Sequence, residues 1–327
     1  MNYFVTGATG FIGSRLSLKL AEEGHFVHAL VRTKAKAEHI EHPNIRIFHG
    51  DIFDQEVLEK AIRGVDGIFH LTAYAKPWAK DPSSYNKINV GGTRLIYELA
   101  LKHSIPKIVF TSTAGTFGPS SDRPVDESSL RMMDFFNEYE STKFMAEKLT
   151  KDYVLKGMNI VIVHPTRVYG PGLLSKSNSV TIMIKNYLHG VWRIIPGSGK
   201  KTGNYAFIED VVRGHILSME KGKAGEQYFL GGENATYEEF FRTIKQASNK
   251  KYMLIRIPVT LLKAFAAIQM AAARIAGKPP LLPVKWVDKY MFNWAVSSEK
   301  AVSELGYTIT GLEQGIKETI KWLNKKR

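Results

Sequence analysis

The sequence holds 327 residues, about twice the length of an ordinary single domain, which suits two domains or one large α/β unit. With 44% hydrophobic and 23% charged residues it has the composition of a globular protein, not a disordered one. The absence of cysteine excludes disulfides, thiolate zinc sites, iron–sulfur clusters and a cysteine nucleophile. The 45 basic against 31 acidic residues leave a formal charge of +14, a surface that draws anions. The basic residues are scattered in pairs such as Lys200-Lys201 and Lys250-Lys251, without a basic tail, so nucleic acid is not an expected partner.

Taken in order, Tyr3 to Thr6 reads as a strand that runs straight into a glycine loop. No leader pattern precedes it, so a cytoplasmic location is expected. Gly13 to Glu23 is helical, and Gly24 ends it. Strands follow at His25 to Val31 and Ile45 to His49, then a helix at Glu56 to Arg63, a strand at Gly67 to Leu71, and a long helix from Tyr85 to Lys102. Lys107 to Ser112 is a strand, Tyr139 to Lys156 a helix, and Asn159 to His164 a strand. Strands alternating with helices predict parallel βαβ units and a Rossmann-type, doubly wound α/β sheet. Beyond Pro165, loops at Gly170-Pro171-Gly172 and Pro196 to Gly199 punctuate the chain. A helix at Glu209 to Glu220 and a strand at Gln227 to Leu230 should rejoin the sheet. The expected division is a nucleotide-binding domain over 1–169 joined by 204–232, with a smaller, mostly helical substrate-binding lid over 170–203 and 233–327.

Gly7-Ala8-Thr9-Gly10-Phe11-Ile12-Gly13 is a G-x-x-G-x-x-G loop placed after the first strand and opening the first helix. Its glycines permit a tight turn, close approach of backbone to a pyrophosphate, and close packing of helix on strand; the helix N-terminus supplies free N–H groups. This order of strand, loop and helix predicts a dinucleotide cofactor held by Gly7, Thr9, Gly10, Phe11, Ile12 and Gly13. The second strand ends in Arg32, with Lys34 and Lys36 behind it, where a carboxylate would select NAD. An arginine there suits the extra phosphate of NADP, so NADP(H) is favoured and NAD(H) stays open. Asp51, after the third strand, could accept from an adenine amino group with Ile52 covering the ring, or it could cap a helix; Asp54 is the better cap.

Tyr139 and Lys143 stand four residues apart on one face of a predicted helix. A neighbouring ammonium is expected to favour the phenolate, bringing proton exchange with a carbonyl or alcohol toward neutral pH. Ser112 and Thr113 lie at the carboxyl end of the preceding strand, where open α/β sheets bind ligands. With the glycine loop, Gly50-Asp51, His70-Leu71-Thr72-Ala73, Asn89-Val90-Gly91-Gly92-Thr93, His164 to Gly172 and Phe207 to Val211, the sequence resembles the extended short-chain dehydrogenase/reductases of the NAD-dependent epimerase/dehydratase superfamily. The resemblance covers nearly the whole chain. It implies a catalytic triad of Thr113, Tyr139 and Lys143, with Ser112 the competing hydroxyl. It also implies that Lys143 holds the nicotinamide ribose, Leu71 and Ala73 line the cofactor's centre, and Pro165 and Val168 lie toward its nicotinamide end. No metal site is expected.

Departures from that pattern narrow the reaction. Ala114-Gly115 replaces the Asp-Glu of the sugar dehydratases, Arg167 stands where nucleotide-sugar epimerases have asparagine, and Gly203-Asn204-Tyr205 replaces their Arg-Asp-Phe. What remains resembles the dihydroflavonol reductase and 3β-hydroxysteroid dehydrogenase branch, which implies hydride transfer to or from a bulky, largely apolar carbonyl or alcohol. A sugar epimerase with retained cofactor is the alternative. Trp192, Phe265, Met270, Trp286, Phe292 and Trp294 would suit such a pocket. The segment 254–276 is too interrupted to span a membrane. It could lie on an anionic membrane surface or serve as a lid helix, and the lid is favoured. The resemblance also raises a homodimer through the helices at 85–102 and 139–156.

Overall fold

A computed structural model describes residues 1–76, 78–175, 178–276 and 284–325; the side chains of Lys34, Arg274, Ile275 and Ala276 lie outside the described set. In chain order the strands are β1 (Asn2–Thr6), β2 (Phe26–Val31), β3 (Ile45–His49), β4 (Gly67–His70), β5 (Ile108–Thr111), β6 (Ile160–Pro165), β7 (Arg167–Tyr169), β8 (Ile194–Pro196), β9 (Thr202–Phe207), β10 (Gln227–Leu230), β11 (Glu233–Thr236) and β12 (Ile255–Ile257). The α-helices are α1 (Phe11–Glu22), α2 (Gln55–Ile62), α3 (Ser83–Asn86), α4 (Gly92–Lys102), α5 (Glu138–Leu155), α6 (Ser179–Leu188), α7 (Ile208–Lys221), α8 (Tyr237–Ser248), α9 (Val259–Ala276), α10 (Val284–Asp288) and α11 (Leu312–Lys325).

Among the described residues one sheet has seven strands in the order β10-β6-β5-β4-β1-β2-β3, and its neighbours pair in parallel throughout. This is the Rossmann order with an added strand, and the strand order reverses between β1 and β4. Alternation along each strand fills two cores. Tyr3, Val5, Phe69, Val109, Val161 and Val163 point into one, with α1 and α7. Phe4, Ile68, Phe110, Ile160 and Ile162 point into the other, with α2, α4 and α5. Strands buried on both faces explain why these segments read as apolar runs.

Three features go beyond the predicted elements. The long helix over 83–102 contains a π turn at Lys87–Gly91 between α3 and α4. Arg167 and Val168 leave the main sheet: β7 pairs in parallel with β9, and β9 pairs antiparallel with β11. So β10 joins the large sheet beside β6, whereas residues 202–207 build the second sheet instead. Gly232 permits this, because a Cβ there would meet the Tyr205 carbonyl oxygen at 1.9 Å. Finally, β12 and β8 form a parallel pair within the predicted helical region.

α9 buries Leu262 and Ala266 against Val287 and Tyr290, so it supports the segment that crosses the site. Its other face exposes Leu261, Phe265 and Ile268. No helix among the described residues is long and apolar enough to cross a membrane.

Helix and strand approach closely at the start of α1, where a Cβ on Gly13 would fall 2.2 Å from the Gly7 carbonyl oxygen. Gly13→Ala must push helix from strand, an overpacking cost of about 1–3 kcal/mol. A thermal melt should show the loss, together with weakened dinucleotide binding; an unchanged melting temperature would mean that the contact relaxes freely.

Candidate active site

The glycine loop and the N-terminus of α1 form an open cradle. Gly7 has φ +70°, and a Cβ there would lie 2.9 Å from the backbone of Leu71 and Thr72. The Gly10 N–H bonds the Gly7 carbonyl at 2.9 Å, closing the turn. No side chain caps α1, and no acidic residue stands in its first turn. Free N–H groups, the helix dipole and the missing side chains fit a pyrophosphate. Phe11 is buried, packed toward Gly172, so its share in the cradle is its backbone N–H.

At the adenosine end, Arg32 is exposed and its guanidinium lies 3.7 Å from the Asp51 carboxylate. Asp51 also accepts from the Phe53 N–H at 3.3 Å. The helix cap falls to Asp54, whose side chain accepts from Val57 N–H at the start of α2. Asp51 is therefore not needed as that cap. Ile52 is buried against Gly92.

His70 fastens the loop after β4. The Thr6 hydroxyl oxygen accepts from the N–H groups of Leu71 and Thr72, so its own proton goes to His70 Nδ1 at 2.7 Å. The Thr93 hydroxyl donates to the Asn89 carbonyl, so it accepts from His70 Nε2–H at 3.0 Å. The ring is neutral, its pKa pushed down to about 3 by burial and then by the Lys143 charge. Leu71 and Ala73 are thereby held beside the cradle. The Asn89 side chain, in the π turn, accepts from Tyr74 N–H at 2.7 Å and donates to the Thr142 hydroxyl at 2.9 Å, tying the same loop to α5.

Tyr139 sits in the first turn of α5, which Asn137 caps by accepting from Glu140 N–H at 2.9 Å. Burial pushes the Tyr139 phenol up to about 12, and a hydrogen bond with the Thr113 side chain opposes the rise. The expectation that the Lys143 ammonium draws the phenol toward neutral pH is not met: Lys143 is not among the groups that move it, the Glu140 and Glu147 carboxylates add to the rise, and the phenol stays protonated. Thr113 Oγ1 also accepts from Gly115 N–H at 3.2 Å, leaving its proton for the phenol oxygen. Ser112 faces elsewhere, donating to the Glu147 carboxylate.

Lys143 is 1% exposed, and its ammonium lies 4.0 Å over the Phe110 ring. Burial lowers its pKa to about 7, against the Glu147 carboxylate, which raises it. Glu147, one turn further along α5, also stands 3.6 Å from His164 Nδ1. Glu147 was not among the residues expected to matter. The signal was present in sequence as a carboxylate four positions after the lysine. Pro165 is buried at the end of β6, and Val168 lies one strand further on, in the second sheet.

The lid closes over the N-terminal end of α5. Phe136 meets Phe292 and Trp294 at ring separations of 5.5 and 5.6 Å. Lys289 pairs with the buried Glu140, beside Tyr139, and lies 5.4 Å from the Trp286 ring. Trp286, Phe292 and Trp294 thus reach the site region. Trp192 does not: it stacks on Phe241 under α8, and Phe265 faces outward on α9.

The family model described as NAD dependent epimerase/dehydratase family matches residues 3–231. The chain belongs to this family. Among its relatives, the putative dihydroflavonol 4-reductase of Synechocystis is 28% identical over 326 residues, spanning 98% of this chain and 94% of that one. The crystal structure of gox2253 superposes with a TM-score of 0.83 at 30% identity, covering 99% of this chain and 98% of the other. The UDP-glucuronic acid 4-epimerase of Bacillus cereus, solved with UDP-glucuronic acid and NAD, has a TM-score of 0.80 at 24% identity over the full length of both chains, a likeness of fold. The chain is an enzyme fold of the extended short-chain dehydrogenase/reductase type, and the family binds a nicotinamide dinucleotide.

Because Glu147 raises the pKa of Lys143, Glu147→Gln should move it down, to a midpoint below about 7. The lysine Cε resonance followed by NMR against pH reports this directly. A midpoint unchanged by the substitution would show that the carboxylate does not reach the ammonium.

Proposed function

We propose that this protein is an NADP(H)-dependent oxidoreductase acting on a carbonyl or alcohol of a bulky, largely apolar small molecule. The observation that carries the reading is the hydrogen-bonded Thr113–Tyr139 pair beside buried Lys143, on the helix and loop at the sheet's carboxyl edge. When bound, the cofactor supplies or accepts the hydride. Gly7, Thr9, Gly10, Phe11, Ile12 and Gly13 hold its pyrophosphate, Leu71 and Ala73 its centre, and Pro165 and Val168 its nicotinamide side. Tyr139 gives its phenol proton to the carbonyl oxygen in reduction and takes it back in oxidation. Thr113 orients that oxygen. Lys143, charged below about 7, steadies the developing phenolate and holds the ribose.

Asn204 favours a reductase over a sugar epimerase. Its oxygen accepts from Thr166 and Gly232, and its amide donates to the Gly232 carbonyl and Asn234. It has no hydrogen-bonding capacity left for a sugar diphosphate. The aromatic wall of Phe136, Phe292 and Trp294 suits an apolar body instead.

Two outcomes test the reading. Tyr139→Phe should cost about 10²–10⁴-fold in turnover, the usual worth of a general acid, while dinucleotide affinity measured by calorimetry stays nearly intact. Near-normal turnover would sink the assignment. Arg32→Asp places a carboxylate beside Asp51, so NADPH affinity should fall about tenfold or more, as for a lost charge-assisted bond, while NADH affinity holds or improves. Equal affinities before and after would make Arg32 a surface residue only.

A further inference from the structure

Arg167 begins β7, two residues beyond Pro165. Its guanidinium lies 5.1 Å from the Tyr237 ring and 5.7 Å from the Tyr205 ring. Tyr290 closes the group, edge-on to Tyr237 at 5.5 Å. Opposite, in β9, a Cβ on Gly203 would meet the guanidinium Nη1 at 2.4 Å, so glycine makes the room. The Tyr205 hydroxyl beside it is buried, and the group that faces it is the Arg167 guanidinium itself.

The cations nearby are treated differently. Arg131 and Lys289 both pair with Glu140, which is 1% exposed. That carboxylate also takes the Phe136 N–H and the Asn137 amide. Arg167 has no carboxylate within ion-pair distance among the described residues, and the groups that face it are the three tyrosines. It stands near enough to Lys289 for the two charges to repel. The tyrosine hydroxyls, Tyr237 by a hydrogen bond, offset part of its desolvation but supply no formal counter-charge, and a guanidinium in such a place gains most from an anion. Its planar fork suits a bidentate carboxylate or phosphoryl group. Lys289 links this place to the reaction centre, since its partner Glu140 adjoins Tyr139 in α5.

We propose that Arg167 binds an anionic group of the substrate, a carboxylate or phosphoryl, so that the substrate is a carbonyl or alcohol compound with an apolar, ring-bearing body and an acidic end. This rests on the reading of Tyr139 as the group that meets the carbonyl. The acidic end lies against Arg167 and the Tyr205 hydroxyl, and the ring-bearing body along Tyr237, Tyr290 and Trp294.

The test is calorimetry with three probes on one ring system: 2-naphthoate, 2-naphthyl phosphate and the neutral 2-naphthamide, each titrated into protein saturated with NADP⁺. One or both anions should bind about tenfold or more tightly than the amide, the worth of a charge-assisted hydrogen bond. Which anion binds better separates carboxylate from phosphoryl. Arg167→Gln should abolish the preference while amide affinity stays within about twofold, and Arg167→Lys should keep part of it because charge survives without the fork. Cofactor affinity and the thermal melt of each variant show whether it is folded; if Arg167→Gln fails to fold, the partial loss in Arg167→Lys decides. No anion preference in the parent protein, or a preference that survives loss of the guanidinium, overturns the proposal. Tyr139→Phe should keep the preference, so failure of the proton-transfer reading and failure of this one are told apart.

Discussion

The Lys143 ammonium is 1% exposed and lies 4.0 Å over the Phe110 ring. A charge taken out of water costs several kcal/mol unless partners repay it. The surrounding structure is organised around that repayment. Glu147 supplies the opposite charge from the next turn of α5, and Ser112 holds Glu147 in turn. Phe110 lies between Lys143 and the neutral His70, which it stacks against at 5.8 Å. His70 then fixes the loop after β4 through Thr6 and Thr93. One buried cation thus connects α5, the edge of the sheet and the loop beside the glycine cradle.

The same low dielectric explains the state of Tyr139. Burial holds the phenol at about 12, and only Thr113 opposes it. The group is therefore kept protonated. Glu140, next in the chain, is buried and paired with Arg131 and Lys289. Of the cations gathered there, Arg167 is left among tyrosines. The contrast between paired and unpaired charges around one site is what gives Arg167 its meaning.

Much of the fold was legible because its signals are local. The apolar runs of β1 to β6, the glycine turn and the Tyr139–Lys143 spacing each depend on neighbours within a few residues. Asp54 could be separated from Asp51 as the cap by its position one residue before α2. The second sheet was not legible. β7 and β11 are short, and the pairing of β7 with β9 joins residues such as Arg167 and Tyr205 that are far apart in sequence. The aromatic residues showed the same limit: composition could not say that Trp294 reaches Phe136 while Trp192 stacks under α8.

By itself, then, the sequence determined the parallel α/β architecture, the dinucleotide cradle and the Thr113, Tyr139 and Lys143 candidates, because strand alternation, helix periodicity and the conformational needs of glycine act over short distances. Only the tertiary structure decided which hydroxyl meets Tyr139, which carboxylate supports Lys143, and that Arg167 stands without one among the described residues. Burial and charge pairing depend on segments brought together from across the chain, and they set whether an ionisable group gives a proton, holds one, or waits for a partner.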